Sequence, residues 1–145
     1  MSLDGCSSLQ NINAIEKCIN LNELKLKKIR EVYNLDVISS LTKLKELCLS
    51  ECFNLQNVDL LSNCTDLTHL KLEKCEQIQN LDGISECTNL IKLTLKDCYN
   101  IKNLNVISNF TNIKMLKIFN CKAFNNEDLI EKLTNLTELI LKHSD

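Results

Sequence analysis

The chain has 145 residues, 44% apolar and 25% charged, with a formal charge of −2; this suffices for one buried core, and no shift in composition divides it. Four Phe, two Tyr and no Trp leave little aromatic surface for stacking bases, and no stretch approaches the ~18 uninterrupted apolar residues of a membrane span. MSLDGCSSLQNINAIEK carries no basic segment followed by an apolar one, and the cysteine count is odd at nine, so reduced thiols in the cytoplasm, or the nucleus, are expected.

In chain order, MSLDGC reads as the second half of a strand, and six strand candidates follow at a constant step of 23 residues. They are NELKLKK at 22–28, KELCLSE at 45–51, THLKLEK at 68–74, IKLTLKD at 91–97, KMLKIFN at 114–120 and TELILKH at 137–143. Three apolar columns run through them: Leu21, Leu44, Leu67, Leu90, Ile113 and Leu136; then Leu24, Leu47, Leu70, Leu93, Leu116 and Leu139; then Leu26, Leu49, Leu72, Leu95, Ile118 and Leu141. Alternation in L-x-L makes a short strand with its leucines on one face, and a unit that cannot cover that face alone must stack on its neighbours. At about 4.8 Å per strand, six or seven parallel strands span roughly 30 Å. The return limbs, such as CEQIQNLDGISECTNL at 75–90, are too short for a long helix, so a short or 3₁₀ helix is expected around DGISEC. Two further columns point inward: Leu9, Val32, Leu55, Ile78, Ile101 and Phe124, and Ile15, Ile38, Leu61, Ile84, Ile107 and Ile130. Asp36, Asp59, Asp82 and Asp128, with Asn13 and Asn105, stand where an N-cap would serve the short helices. Asn11, Asn34, Asn57, Asn80, Asn103 and Asn126 fill a column of their own, expected to satisfy coil backbone and to form a ladder of stacked amides.

The same period explains the cysteines. Cys6, Cys52, Cys75, Cys98 and Cys121 share a column with Ile29 and Ser144, and Cys18, Cys64 and Cys87 share another with Leu41, Phe110 and Leu133. Positions that alternate with Leu, Ile and Phe are interior positions, so these thiols carry no ligand spacing of their own. Cys48 alone stands outside both columns. A Cys48/His69 pair on neighbouring strands is the one nucleophilic arrangement the sequence allows, and it lacks an oxyanion site and a third orienting group. Cys48 and Cys52 form a C-x3-C pair whose members point to opposite sides, and Gly5 and Gly83 make no phosphate loop. No catalytic residue, no metal ligand and no cofactor is assigned.

The unbroken L-x-x-L-x-L openings resemble those of the leucine-rich repeat superfamily over nearly the whole chain. Units such as LTHLKLEKCEQIQNLDGISECTN, the run LTNLTEL and the paired aliphatics of the return limb are similar to the short-repeat class of bacterial internalins and nuclear phosphatase regulators. Each unit here has one residue more before the Ile78-type position and no proline, and its Cys in place of the more usual Asn is similar to the cysteine-containing repeats of F-box ubiquitin-ligase adaptors. The resemblance implies an α/β fold: a leucine-rich repeat solenoid, residues 1–145 as a single domain, with a parallel β-sheet on the concave face and short 3₁₀, helical or coil return limbs on the convex face. It also implies recognition of a protein partner.

Residues between and beside the leucines face the concave wall. Those positions hold eleven Lys against six acids, while the rest of the chain holds six basic and thirteen acidic residues, so charge is segregated by face. Lys25, Lys71, Lys92, Lys96 and Lys117 are the candidate contacts to an acidic protein segment, with Met115, Phe119 and Ile140 as apolar anchors. Solvated lysines that blunt edge-to-edge sheet pairing are the plainer account of the same pattern. A rival function has these lysines meet nucleic-acid phosphates, which the acidic total and scarce aromatics disfavour. Neither end carries a polar capping repeat, so an end-to-end homodimer, or membership of a longer repeat array, is a further expectation.

Overall fold

The structure, a computed structural model, describes residues 1–6, 8–122 and 127–142, the side chains of residues 127 and 128 excepted. The expectations for Phe124, Asn126, His143 and Ser144, and for the side chain of Asp128, lie outside the described residues.

Each L-x-L segment forms a strand: β1 (Ser2–Asp4), β2 (Glu23–Lys27), β3 (Glu46–Ser50), β4 (His69–Glu73), β5 (Lys92–Lys96), β6 (Met115–Phe119) and β7 (Glu138–Lys142). They build one parallel sheet in the order β1 to β7, and every pairing joins residues 23 apart, as in Leu47 with Leu70 and Leu70 with Leu93. Sequence period and sheet register are therefore the same number, and each leucine stacks on its own copy. From β2 to β6 the inward leucines and isoleucine are 0–2% exposed, each burial worth about 2 kcal/mol.

The return limbs contain 3₁₀ turns at Asn13–Lys17, Asp36–Ser40, Asp59–Leu61, Asp82–Ile84 and Asn105–Asn109, as DGISEC suggests, and a five-residue helix α1 at Glu127–Glu131. The helix shifts the inward position of its limb: Leu129 is buried and Ile130 is half-buried, because an α-turn rotates and rises less per residue, about 100° and about 1.5 Å, than the 3₁₀ turns of the other repeats, about 120° and about 2.0 Å. The capping expectation also needs correcting. Asp36, Asp59, Asp82, Asn13 and Asn105 are the first residues of their turns and make no side-chain cap. Their backbone N–H groups instead donate to the Oδ1 of Asn34, Asn57, Asn80, Asn11 and Asn103, at 2.6–3.2 Å. The asparagines at 11, 34, 57, 80 and 103 thus act within their own repeats, as Asx turns that start the limb, and among the described residues no ladder of side-chain amides joins them between repeats.

After β1 to β6 the chain turns through a left-handed residue, at Gly5, Lys28, Glu51, Lys74, Asp97 and Asn120, with φ between 52° and 68°. The N–H of each donates to the last strand residue of the following repeat, for example Lys74 to the Lys96 carbonyl at 2.8 Å. That bond closes the sheet edge and turns the chain inward to the cysteine column.

Candidate functional site

The short strands set alternate side chains on the concave face, where in-register stacking lines them up in rows across the sheet. One row runs Lys25, Cys48, Lys71, Thr94, Lys117, Ile140, and the rows beside it run Glu46, His69, Lys92, Met115, Glu138 and Ser50, Glu73, Lys96, Phe119, Lys142. Oppositely charged neighbours therefore meet both along a strand and between repeats. Glu73 accepts from Lys71 at 2.7 Å and Lys96 at 2.8 Å, Lys117 pairs with Glu138 at 2.7 Å, and Lys25 pairs with Glu23 on its own strand. The two ammonium groups hold the Glu73 carboxyl down to about 2, and the Glu23 partner raises the Lys25 ammonium above its ordinary value. Lys92 has no ion-pair partner among the described residues.

A hollow of about 500 Å³ opens on this face, and of the eight candidate residues it takes in Lys25, Lys71, Lys92 and Lys117. Glu23, Glu46, Cys48, His69 and Thr94 also line it. Lys96, Met115, Phe119 and Ile140 are outside that lining. The three apolar candidates are half-buried rather than exposed. The most exposed apolar residues among those described lie elsewhere and include Tyr33 and Ile19.

Cys48 and His69 both border the hollow, with Cys48 in register with Lys71 and His69 with Glu46. Burial pushes the Cys48 thiol above its ordinary value, against the direction a nucleophile needs, and His69 Nδ1 is engaged by Thr68 Oγ1 at 2.9 Å. The remaining cysteines serve the coil. Cys75 Sγ donates to the carbonyls of Glu73 and of Leu49 in the preceding repeat, both at 3.6 Å, and Cys98 repeats the pattern on Lys96 and Leu72. Cys87 does the same on the other side of the core, to Leu61 and Cys64 carbonyls. All nine cysteines are free thiols; burial holds Cys64 up to about 11 and Cys87 to about 12. Among the described residues no cluster of His, Cys, Asp and Glu is placed to hold a metal ion, and no helix is long and apolar enough to cross a membrane.

No protein-family model matches the sequence, and no curated protein matches it. Solved structures do. An internalin C2 from Listeria monocytogenes superposes with a TM-score of 0.67 at 20% identity, over 99% of this chain and 73% of that one. An internalin, InlF, of the same organism gives 0.56 at 24% identity, over 89% of this chain and 45% of that one. The functional domain of InlJ from Listeria monocytogenes, which includes a cysteine ladder, gives 0.55 at 21% identity, over 83% of this chain and 30% of that one. The chain thus spans less than half the length of the last two. At these identities the likeness is one of fold: a leucine-rich repeat solenoid.

Proposed function

We propose that this chain, having the leucine-rich repeat fold, is a non-catalytic protein-interaction module that holds an acidic segment of a partner protein on its lysine-rich concave sheet. What supports this most is the balance of the wall: its lysines outnumber its acids, and Lys92 lies in the hollow without an internal counter-charge among the described residues. A carboxylate of a partner would meet Lys92 first, flanked by Lys71 and Lys117 in the hollow that Lys25 also lines, while Lys96 lies on the same strand as Lys92. Met115 is in register with Lys92, Phe119 with Lys96 and Ile140 with Lys117, so an apolar contact lies one strand away from each charge. We read residues 1–145 as one such domain, and nine free thiols suit a reducing compartment, the cytoplasm or nucleus.

The test is affinity capture from the source cells, comparing the wild-type chain with Lys71→Glu/Lys92→Glu/Lys117→Glu. The triple variant is expected to lose the partner, and Phe119→Ala to weaken it about tenfold. A partner retained by the triple variant, or capture of nucleic acid with a steep salt dependence instead, sinks the proposal. The same reading includes a homodimer stacked through β7, where Leu139 is 39% exposed while Leu24, Leu47, Leu70, Leu93 and Leu116 are at most 2%. Gel filtration should then show a dimer that Leu139→Lys converts to a monomer; a monomeric wild type rejects it.

A further inference from the structure

On the flank that follows strands β2 and β3, away from the concave wall, a second cleft of about 520 Å³ runs across three repeats. Leu35, Leu55 and Leu60 form its floor. Tyr33 and Phe53 stand at its sides, and Gln56, Gln77 and Asp36 edge it. The repeat itself shows which of these the solenoid does not require. At the Tyr33 position the sister repeats carry Gln10, Gln56, Gln79 and Lys102, and at the Phe53 position Arg30, Glu76 and Lys122. The other aromatic in that column, Tyr99, is tied by its hydroxyl to Asp97 at 3.3 Å. Among the described residues Tyr33 has no such anchor: it is 72% exposed, a large ring held open to solvent where a polar side chain serves the fold elsewhere. Phe53 is fixed from outside by the Arg30 guanidinium, 5.9 Å from its centroid, while Asn54 ties the loop to the Arg30 carbonyl at 2.7 Å. The side-chain amides of Gln56 and Gln77 and the Asp36 carboxylate make no hydrogen bond to the protein among the described residues.

We propose that this cleft is a binding site for a neutral saccharide. Its chemistry is the complement of one: an open aromatic face for the C–H side of a pyranose ring, and unspent amides and a carboxylate to bond hydroxyls. Neither lysine nor arginine lines it, and the one charged residue of its lining is Asp36, so neither an anionic glycan nor a phosphate is favoured there. The volume lies within the 300–1,000 Å³ or so typical of small-ligand sites and leaves room for more than one sugar ring. This site is independent of the concave face and stands or falls separately from it.

The intact chain is to be tested by saturation-transfer NMR against cellotriose, triacetylchitotriose, maltotriose and mannotriose. At least one should receive saturation. Tyr33→Gln and Phe53→Glu, which borrow residues that sister repeats already carry, should keep the fold and weaken binding about tenfold or more. Lys92→Glu, on the concave wall, should leave it unchanged. No transfer to any of the four sugars at about 10 mM, a concentration that would reveal even millimolar affinity, overturns the proposal, as does binding that survives Tyr33→Gln.

Discussion

Glu73 is where the electrostatics of the concave wall concentrate. Its side chain is 17% exposed and accepts from two lysines on different strands, which is why its carboxyl is held to about 2 instead of the ordinary 4.5. A depressed folded-state value means that the carboxylate stabilises the fold above about pH 4.5 and loses that contribution as the pH falls toward 2. With solvent screening of the half-exposed lysines, the contribution comes to about 1–2 kcal/mol. Urea unfolding between those limits should show wild-type stability dropping by that margin more than Glu73→Gln. Parallel pH profiles for the two proteins would show that the ion pairs add nothing.

At the scale of the element, each return limb is punctuated by devices that recur every 23 residues. A left-handed residue ends the strand, a cysteine or its apolar equivalent turns inward, and an asparagine caps the 3₁₀ turn. Side chains other than glycine occupy most of the left-handed positions, and the inter-repeat hydrogen bond made by each N–H offsets the strain of about 1 kcal/mol. Gly83 is a different case. A Cβ built there would lie 2.4 Å from the Val58 carbonyl carbon and oxygen, so the Asp82–Ile84 turn sits directly on the backbone of the preceding repeat. Ala14 fills the same repeat position without difficulty in sequence terms, so the demand is local to this one stacking step. Gly83→Ala should cost about 2–3 kcal/mol in urea unfolding, whereas Ser85→Ala, two residues on, should stay within about 0.5 kcal/mol. Equal effects of the two would mean that the turns can separate freely.

Over the whole molecule, the solenoid sorts its thiols by depth. Cys52, Cys64, Cys75, Cys87, Cys98 and Cys121 are buried, and Cys6, Cys18 and Cys48 are half-buried. Desolvation disfavours the thiolate at Cys64 and Cys87, and the thiolate is the reactive form. Ellman's reagent should accordingly titrate about three thiols quickly in the native protein and the remaining six only on unfolding. Rapid reaction of all nine under native conditions would contradict the packing described. The same sorting applies to charge. Most of the candidate lysines are partly spent on neighbouring glutamates. What the wall offers a partner is thus narrower than a count of lysines suggests.

Periodicity by itself determined the strands, their parallel order, their register and the inward fate of the column cysteines, because a fixed step of 23 residues leaves one way to stack equal units and bury every leucine. It also singled out the wall residues, since alternation in a strand settles which side chains face out. Comparing the columns for what each repeat does not need could likewise have flagged Tyr33 and Phe53. What only the tertiary structure decided are the contacts between unequal neighbours. Which lysine finds a glutamate depends on the distances along and between strands, so Lys71 on its own strand and Lys96 on the next converge on Glu73, while Lys92 is left over among the described residues. The shift from Ile130 to Leu129 came from a local helix, the transfer of capping to asparagine from turn geometry, and the Gly83 contact from backbone proximity. These depend on distances of a few ångströms across repeats, and a repeat pattern carries the order of its units without those distances.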